Sequence, residues 1–116
     1  MADLGFLLTR PPQASPGAHS FYLLARAALD QGHAVRAFFY QDGVYQCLKA
    51  QDEGDGEGGP SQWLEALVEA GASLVASHAC LKGRGLDSSA LVPGVRMGTL
   101  EELALTASRA DRVVCL

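Results

Sequence analysis

The chain has no excess of basic residues, no long apolar run and no signal-like amino terminus. Its 116 residues include 9 Lys or Arg against 13 Asp or Glu, a net charge of −4, so little positive charge is available to bind a phosphate backbone. No apolar stretch approaches the roughly 20 residues of a membrane-spanning helix. Residues 1–4 are not the basic start of a signal peptide. We therefore expect a cytoplasmic protein that binds neither nucleic acid nor membrane.

Cysteine is scarce, and its three residues, Cys47, Cys80 and Cys115, are scattered. A secreted disulfide framework would use more cysteines in an even number, so the count indicates free thiols in a reducing compartment. Cys115 lies in an apolar run, where we expect it to be buried as a small hydrophobic residue. The sequence around Cys47 does not show whether this residue lies in a loop or in a short helix.

Motifs for bound metals and cofactors are also missing. No two cysteines are close enough for a zinc knuckle, and His19, His33 and His78 lack the spacing of ligands on one helix. The loop after the first apolar run has two prolines in place of the glycines of a dinucleotide-binding loop. No phosphate-binding loop or Gly-x-Ser-x-Gly elbow occurs. We expect no metal and no cofactor.

Apolar runs alternate with segments of helical periodicity along the whole chain. Hydrophobic residues make up 48% of the sequence, enough for the core of one domain, residues 1–116. Strands are predicted at 4–9, 34–40, 72–76 and 111–116, and helices at about 18–31, 61–70 and 99–110, with a short helical or irregular piece at 44–50 and an irregular stretch at 86–97. This alternation is typical of a three-layer α/β sandwich with a mainly parallel sheet.

Two helix starts and one loop carry more specific signals. Ser61 is a candidate N-cap, and Thr99 with Glu102 resembles a capping box. Residues 51–59 are acidic, rich in glycine and free of apolar side chains, which predicts a flexible surface loop. The segment does not match the ligand stagger of a calcium loop.

Cys80 is the residue with the clearest chemical potential. It follows a predicted strand and lies between His78 and the two cations Lys82 and Arg84. A cysteine is nucleophilic as the thiolate, and its free pKa of about 8.5 falls beside cations or at a helix N-terminus. Ligands in parallel sheets bind at the carboxyl ends of strands, where 9–11, 41–43 and 77–80 are expected to converge. The alternative is a buried structural cysteine at the end of a strand.

The chain resembles the DsrE/TusD family over nearly its whole length. The most specific match is Phe-Phe-Tyr-Gln-Asp-Gly-Val-Tyr at 38–45, and the segments 27–33, 81–85 and 111–114 are similar as well. The resemblance implies a flavodoxin-like parallel sheet and a homo- or hetero-oligomer, from a trimer to a hexamer. It further implies a sulfur-relay protein, which exchanges cysteine persulfide with donor and acceptor proteins in tRNA 2-thiouridine synthesis or sulfur oxidation.

The resemblance leaves two functions open. In TusD-like members the persulfide cysteine corresponds to Ser77, whereas other branches have Cys-x-x-Cys and Cys80 matches the second cysteine. Either Cys80 is the persulfide acceptor, or the chain is a non-catalytic subunit of a mixed oligomer. In the first case the residues expected to support the thiolate or shape its pocket are Ser77, His78, Lys82, Arg84, Asp42, Gly43 and Tyr45.

Overall fold

A sheet of parallel strands forms the centre of the structure, a computed structural model that describes residues 1–12, 16–50 and 59–116. The strands in these residues are β1 (Asp3–Leu8), β2 (Ala34–Phe39), β3 (Ser73–Ser77), β4 (Arg96–Gly98) and β5 (Arg112–Cys115). The helices are α1 (Gly17–Asp30), α2 (Pro60–Glu69), α3 (His78–Lys82) and α4 (Leu100–Arg109), with 3-10 helices at Gln41–Cys47 and Ser88–Ala90. Apart from Gly59, the loop predicted at 51–59 lies outside the described residues.

The strands carry apolar side chains toward helices on both faces. On one face, the ring of Phe39 in β2 meets the ring of Phe21 in α1, with 5.9 Å between centroids. Phe21 in turn meets Phe6 of β1 at 5.1 Å. On the other face, Val75 of β3 and Leu105 of α4 line the same cavity. The predicted three-layer α/β sandwich with a parallel sheet is therefore confirmed.

The strand order is β4-β3-β2-β1-β5, and all neighbouring pairs are parallel. The strands β1 to β4 lie in sequence order from the interior of the sheet to one edge. After α4, β5 pairs with the other side of β1. Flavodoxin itself has the order 2-1-3-4-5. In this chain the order reverses between β1 and β5, so that pair of strands is the topological switch point.

The strand β4 was missed in the stretch predicted to be irregular. It has only three residues, Arg96, Met97 and Gly98, and pairs with β3 at the edge of the sheet. A charged residue and a glycine leave no apolar run to detect, so only pairing with β3 defines this strand.

The predicted helix caps were partly wrong. The N-cap of α2 is Gly59, with a proline at N1, and Ser61 lies inside the helix, because proline suits the first helical position. Thr99 is the N-cap of α4, but its side chain makes no capping hydrogen bond. Glu102 instead pairs with Arg96 at 3.4 Å.

Burial on the outer surfaces also differs from expectation. Leu23 and Leu24 of α1 are half-exposed although they lie in a helix of apolar periodicity, and Leu105 of α4 is half-exposed as well. In α4 no residue is fully buried.

None of the helices in the described part of the chain is long and apolar enough to cross a membrane.

Candidate functional site

The segments that follow β1, β2 and β3 meet at the carboxyl edge of the sheet. The amide of Gln46 donates to the carbonyl of Arg10, after β1, at 2.9 Å. The main-chain N–H of Gln41, which follows β2, donates to the Sγ of Cys80, after β3, at 3.2 Å. These hydrogen bonds connect the 3-10 helix Gln41–Cys47 to the segments on both sides of it.

Cys80 occupies the third position of the short helix α3. Ser77 is the N-cap of this helix, and its hydroxyl accepts a hydrogen bond from the N–H of Cys80 at 3.3 Å. Ser77 is buried, whereas Cys80 is half-buried. The side chain at 77 thus fixes the backbone of Cys80, and the thiol of Cys80 remains partly open to solvent.

The turn after β2 depends on two unusual backbone positions. Gln41 has a φ of 52°, in the left-handed region that few non-glycine residues occupy. In this conformation its N–H faces the sulfur of Cys80. Gly43 packs directly on β1, because a Cβ at this position would overlap the carbonyl oxygen of Leu8 and lie 3.1 Å from the nitrogen of Thr9.

Arg84 joins the turn to α3. Its guanidinium forms an ion pair with Asp42 at 2.7 Å and donates to the carbonyl of Cys80 at 3.0 Å. It also lies over the ring of Tyr45, 5.7 Å from the centroid. The hydrogen bond to Asp42 raises the pKa of Arg84, and the charges of Asp42, Tyr45 and Cys80 act in the same direction.

His78 and Lys82 are brought near Cys80 only by sequence. Both side chains are exposed on α3, and no hydrogen bond or ion pair between described residues connects them to the thiol. The residues that sequence reasoning missed are Gln41 and Gln46. Their amide and main-chain contacts depend on how the turn folds, which residue types alone do not reveal.

The other two cysteines occupy very different surroundings. Cys47 is fully buried, and desolvation raises its pKa well above the ordinary value. Cys115 is exposed, so the prediction of a buried residue was wrong, because β5 is an edge strand. Cys115 lines an open cavity of about 480 Å³ with Thr9, Arg10 and Gly17. This cavity occupies the switch point, two strands away from β3.

Alkaline pH should weaken the fold through Cys47. Burial raises the folded-state pKa of Cys47, so its contribution to stability is complete below the ordinary pKa of a thiol and is lost as pH rises from there to the folded pKa. Between the ordinary and the folded pKa we expect the free energy of unfolding to fall by about 1.4 kcal/mol per pH unit more in the wild type than in Cys47→Ala. Urea unfolding followed by Trp63 fluorescence would measure both slopes, and parallel slopes would contradict this expectation.

The site offers a partly exposed sulfur, a main-chain donor and a nearby fixed cation. This set suits a nucleophilic or carrier thiol. Within residues 1–12, 16–50 and 59–116, no group of three or more His, Cys, Asp or Glu side chains could hold a metal ion.

Comparison with known proteins gives consistent results. The model of the DsrE/DsrF-like family matches residues 2–116. A protein of Pseudomonas aeruginosa described as a sulfurtransferase TusD homolog is 34% identical, over 90% of this chain and 89% of its own length. The putative sulfurtransferase DsrE of Allochromatium vinosum is 30% identical, over 88% and 86%. The crystal structure of the YchN protein from Escherichia coli superposes with a TM-score of 0.90 at 30% identity, covering all of both chains.

Proposed function

Because this chain belongs to the DsrE/DsrF-like family, we propose that it is a sulfur-relay protein that accepts sulfane sulfur on Cys80 as a persulfide and passes it on. The relatives named as sulfurtransferases support the general class of activity. The role of Cys80 is supported by the site itself.

The observation that carries the proposal is the hydrogen bond from the N–H of Gln41 to the Sγ of Cys80, at 3.2 Å. A main-chain donor held in place by the fold stabilises negative charge on a reacting atom without reorganisation. Here that atom is the sulfur of a thiolate or of a bound persulfide. An ordinary structural cysteine would need neither the left-handed turn at Gln41 nor a partly open thiol.

The transfer conserves the oxidation level of the moving sulfur. The thiolate of Cys80 attacks the outer sulfur of a donor persulfide, R–S–SH, and forms a new S–S bond. The bond between that sulfur and R–S breaks, and the donor leaves as the thiolate R–S⁻. An acceptor thiolate then attacks the outer sulfur on Cys80 in the same way. Neither step needs an oxidant or a reductant.

The neighbouring residues take separate roles in this proposal. Asp42, Tyr45 and Arg84 fix the turn against α3, and the cation of Arg84 remains within electrostatic range of the Cys80 sulfur. His78 and Lys82, exposed on α3, would face an approaching donor or acceptor protein. Gly43 permits the close packing of the turn on β1.

Loading with sulfur tests the carrier role. After treatment with polysulfide, intact-mass and peptide mass spectrometry should find an added sulfur on Cys80 of the wild type. Cys80→Ser should lose at least about nine tenths of this label, because serine keeps the shape but forms no persulfide. Cys115→Ser is the matched control, since it removes another accessible thiol. Label that persists in Cys80→Ser would disprove the assignment.

A second candidate function is a subunit that carries no sulfur. It is favoured by Ser77, whose buried hydroxyl caps α3 at the position that the resemblance to TusD-like members assigns to the persulfide cysteine. A wild type that stays unlabelled and forms a stable oligomer with related chains would support this alternative.

The proposal includes assembly and cellular context. We infer a homo- or hetero-oligomer, in keeping with the half-exposed Leu23, Leu24, Leu100 and Leu105 on the outer helices. Such a relay would exchange sulfur with donor and acceptor proteins in the cytoplasm, for tRNA 2-thiouridine synthesis or for sulfur oxidation.

A further inference from the structure

Three arginines from three different elements line one cavity at the amino end of the sheet. Arg36 comes from β2, Arg96 from β4 and Arg109 from the last turn of α4, and the cavity between them has a volume of about 150 Å³. Ser73 and Thr106 also line it and can add hydroxyl groups. This site lies between α4 and the sheet, away from the carboxyl edge that holds Cys80.

The position of these side chains is unusual for a covered parallel sheet. Both faces of such a sheet are normally lined by apolar residues. Here the register pairs Arg36 with Ser73 and Arg96 with Val75, so charged and hydroxyl side chains share the face under α4. The chain as a whole has a net charge of −4, which makes a local cluster of cations more distinctive.

The three arginines retain N–H donors that no group in the described part of the chain uses. Arg36 contacts Asp3 through Nε at 3.2 Å, so neither Nη group of Arg36 has a partner among the described residues. Arg96 contacts Glu102 through one Nη at 3.4 Å. Arg109 forms no ion pair with any residue in the described ranges. Among the described residues, two carboxylates pair with these three arginines, Asp3 with Arg36 and Glu102 with Arg96, so the local balance of charge remains positive.

We propose that this cavity binds a small oxyanion of the size of phosphate or sulfate, either free or as the terminal group of a metabolite. Guanidinium groups match the oxygens of such anions with paired N–H donors. A cavity of about 150 Å³ is too small for the body of a drug-sized ligand, which occupies roughly 300 Å³ or more. Any larger remainder would extend into solvent.

The site is independent of the sulfur chemistry. Ser73 and Ser77 are the two ends of β3, and four residues of a strand span about 13 Å. The oxyanion would therefore not contact Cys80, and binding should be unchanged in Cys80→Ser. This variant separates a failure of the oxyanion site from a failure of the relay.

Calorimetric titration with inorganic phosphate tests the proposal. At constant ionic strength, adjusted with sodium chloride, we expect saturable binding of one phosphate per chain and competition by sulfate. Arg109→Gln and Arg96→Gln should each weaken binding about tenfold or more, because each removes charge-assisted hydrogen bonds. Glu102→Gln should tighten binding several-fold, because it removes a lining carboxylate.

Arg26→Gln is the matched control, because Arg26 is also ion-paired, with Asp30, but lies on α1. It should leave phosphate binding unchanged. No saturable binding by the wild type, or equal weakening by Arg26→Gln and Arg109→Gln, would overturn the proposal. Two arginine variants that both bind phosphate as the wild type does would overturn it as well.

Discussion

Replacing Gly43 with alanine should lower the free energy of unfolding by at least about 3 kcal/mol, at the upper end of the range for overpacking. The added Cβ would overlap the carbonyl oxygen of Leu8 and lie 2.6 Å from its carbon. These are main-chain atoms of a central strand, so they cannot rotate away. The same carbonyl accepts a hydrogen bond from the N–H of Tyr40 at 2.9 Å, which the displaced turn would disturb.

Gly83→Ala is the matched control for this experiment. It lies on the other side of the site, at the C-cap of α3, where a Cβ would come no closer than 3.4 Å to any neighbour. We expect its stability to stay within about 0.5 kcal/mol of the wild type. Urea unfolding measured by circular dichroism gives both values. A stability loss below about 1 kcal/mol for Gly43→Ala would contradict the prediction, because it would show that β1 and the turn can move apart at little cost in free energy.

The thiol of Cys47 should react with iodoacetamide at least about a thousandfold more slowly than that of Cys115 in the folded protein. Cys47 is fully buried and Cys115 is exposed. Reagent reaches a buried thiol only after an opening reaction, and opening the core costs about 5 kcal/mol or more. Each 1.4 kcal/mol of this cost slows the reaction about tenfold. Its raised pKa slows Cys47 further, because the thiolate is the reactive form.

Peptide mass spectrometry on a time course would give the rate at each cysteine. In concentrated urea the rates of Cys47 and Cys115 should become similar, which controls for effects of local sequence. Rates within tenfold of each other in the folded protein would mean that Cys47 is accessible. It would then have to be considered a second sulfur acceptor beside Cys80.

Much of the fold could be predicted from the spacing of apolar residues. The helix α1 ends at Asp30, two residues before Gly32, and β2 ends at Phe39, two residues before Gln41, so both had clear boundaries in the sequence. The strand β4 had none, because it is defined by pairing with β3 and not by its three residues. Strand order also depends on long-range contacts, so local sequence patterns could not predict the switch point between β1 and β5.

The candidate site could be predicted only in outline. The expectation that the segments after β1, β2 and β3 converge follows from the geometry of parallel sheets, and the structure shows the contact between Gln41 and Cys80. The directions of individual side chains could not be predicted from this geometry. Arg84 was expected to stabilise the thiolate, and its ion pair with the carboxylate of Asp42 was not predicted. Burial of Cys115 was misjudged because an edge strand and a central strand share the same apolar composition.

The order of the strands also has a consequence for how the chain assembles. The turn, α3 and the three strands that support Cys80 all lie before residue 85 and pair with near neighbours. By contrast, β5 pairs with β1 across about 108 positions, as Leu4 opposite Arg112 shows. Closing so long a loop is slow, so the sulfur site should form early, while one side of β1 is still uncovered. Until β5 arrives, that open edge could pair with another chain, and variants that delay β5 should aggregate even though their sulfur site is intact.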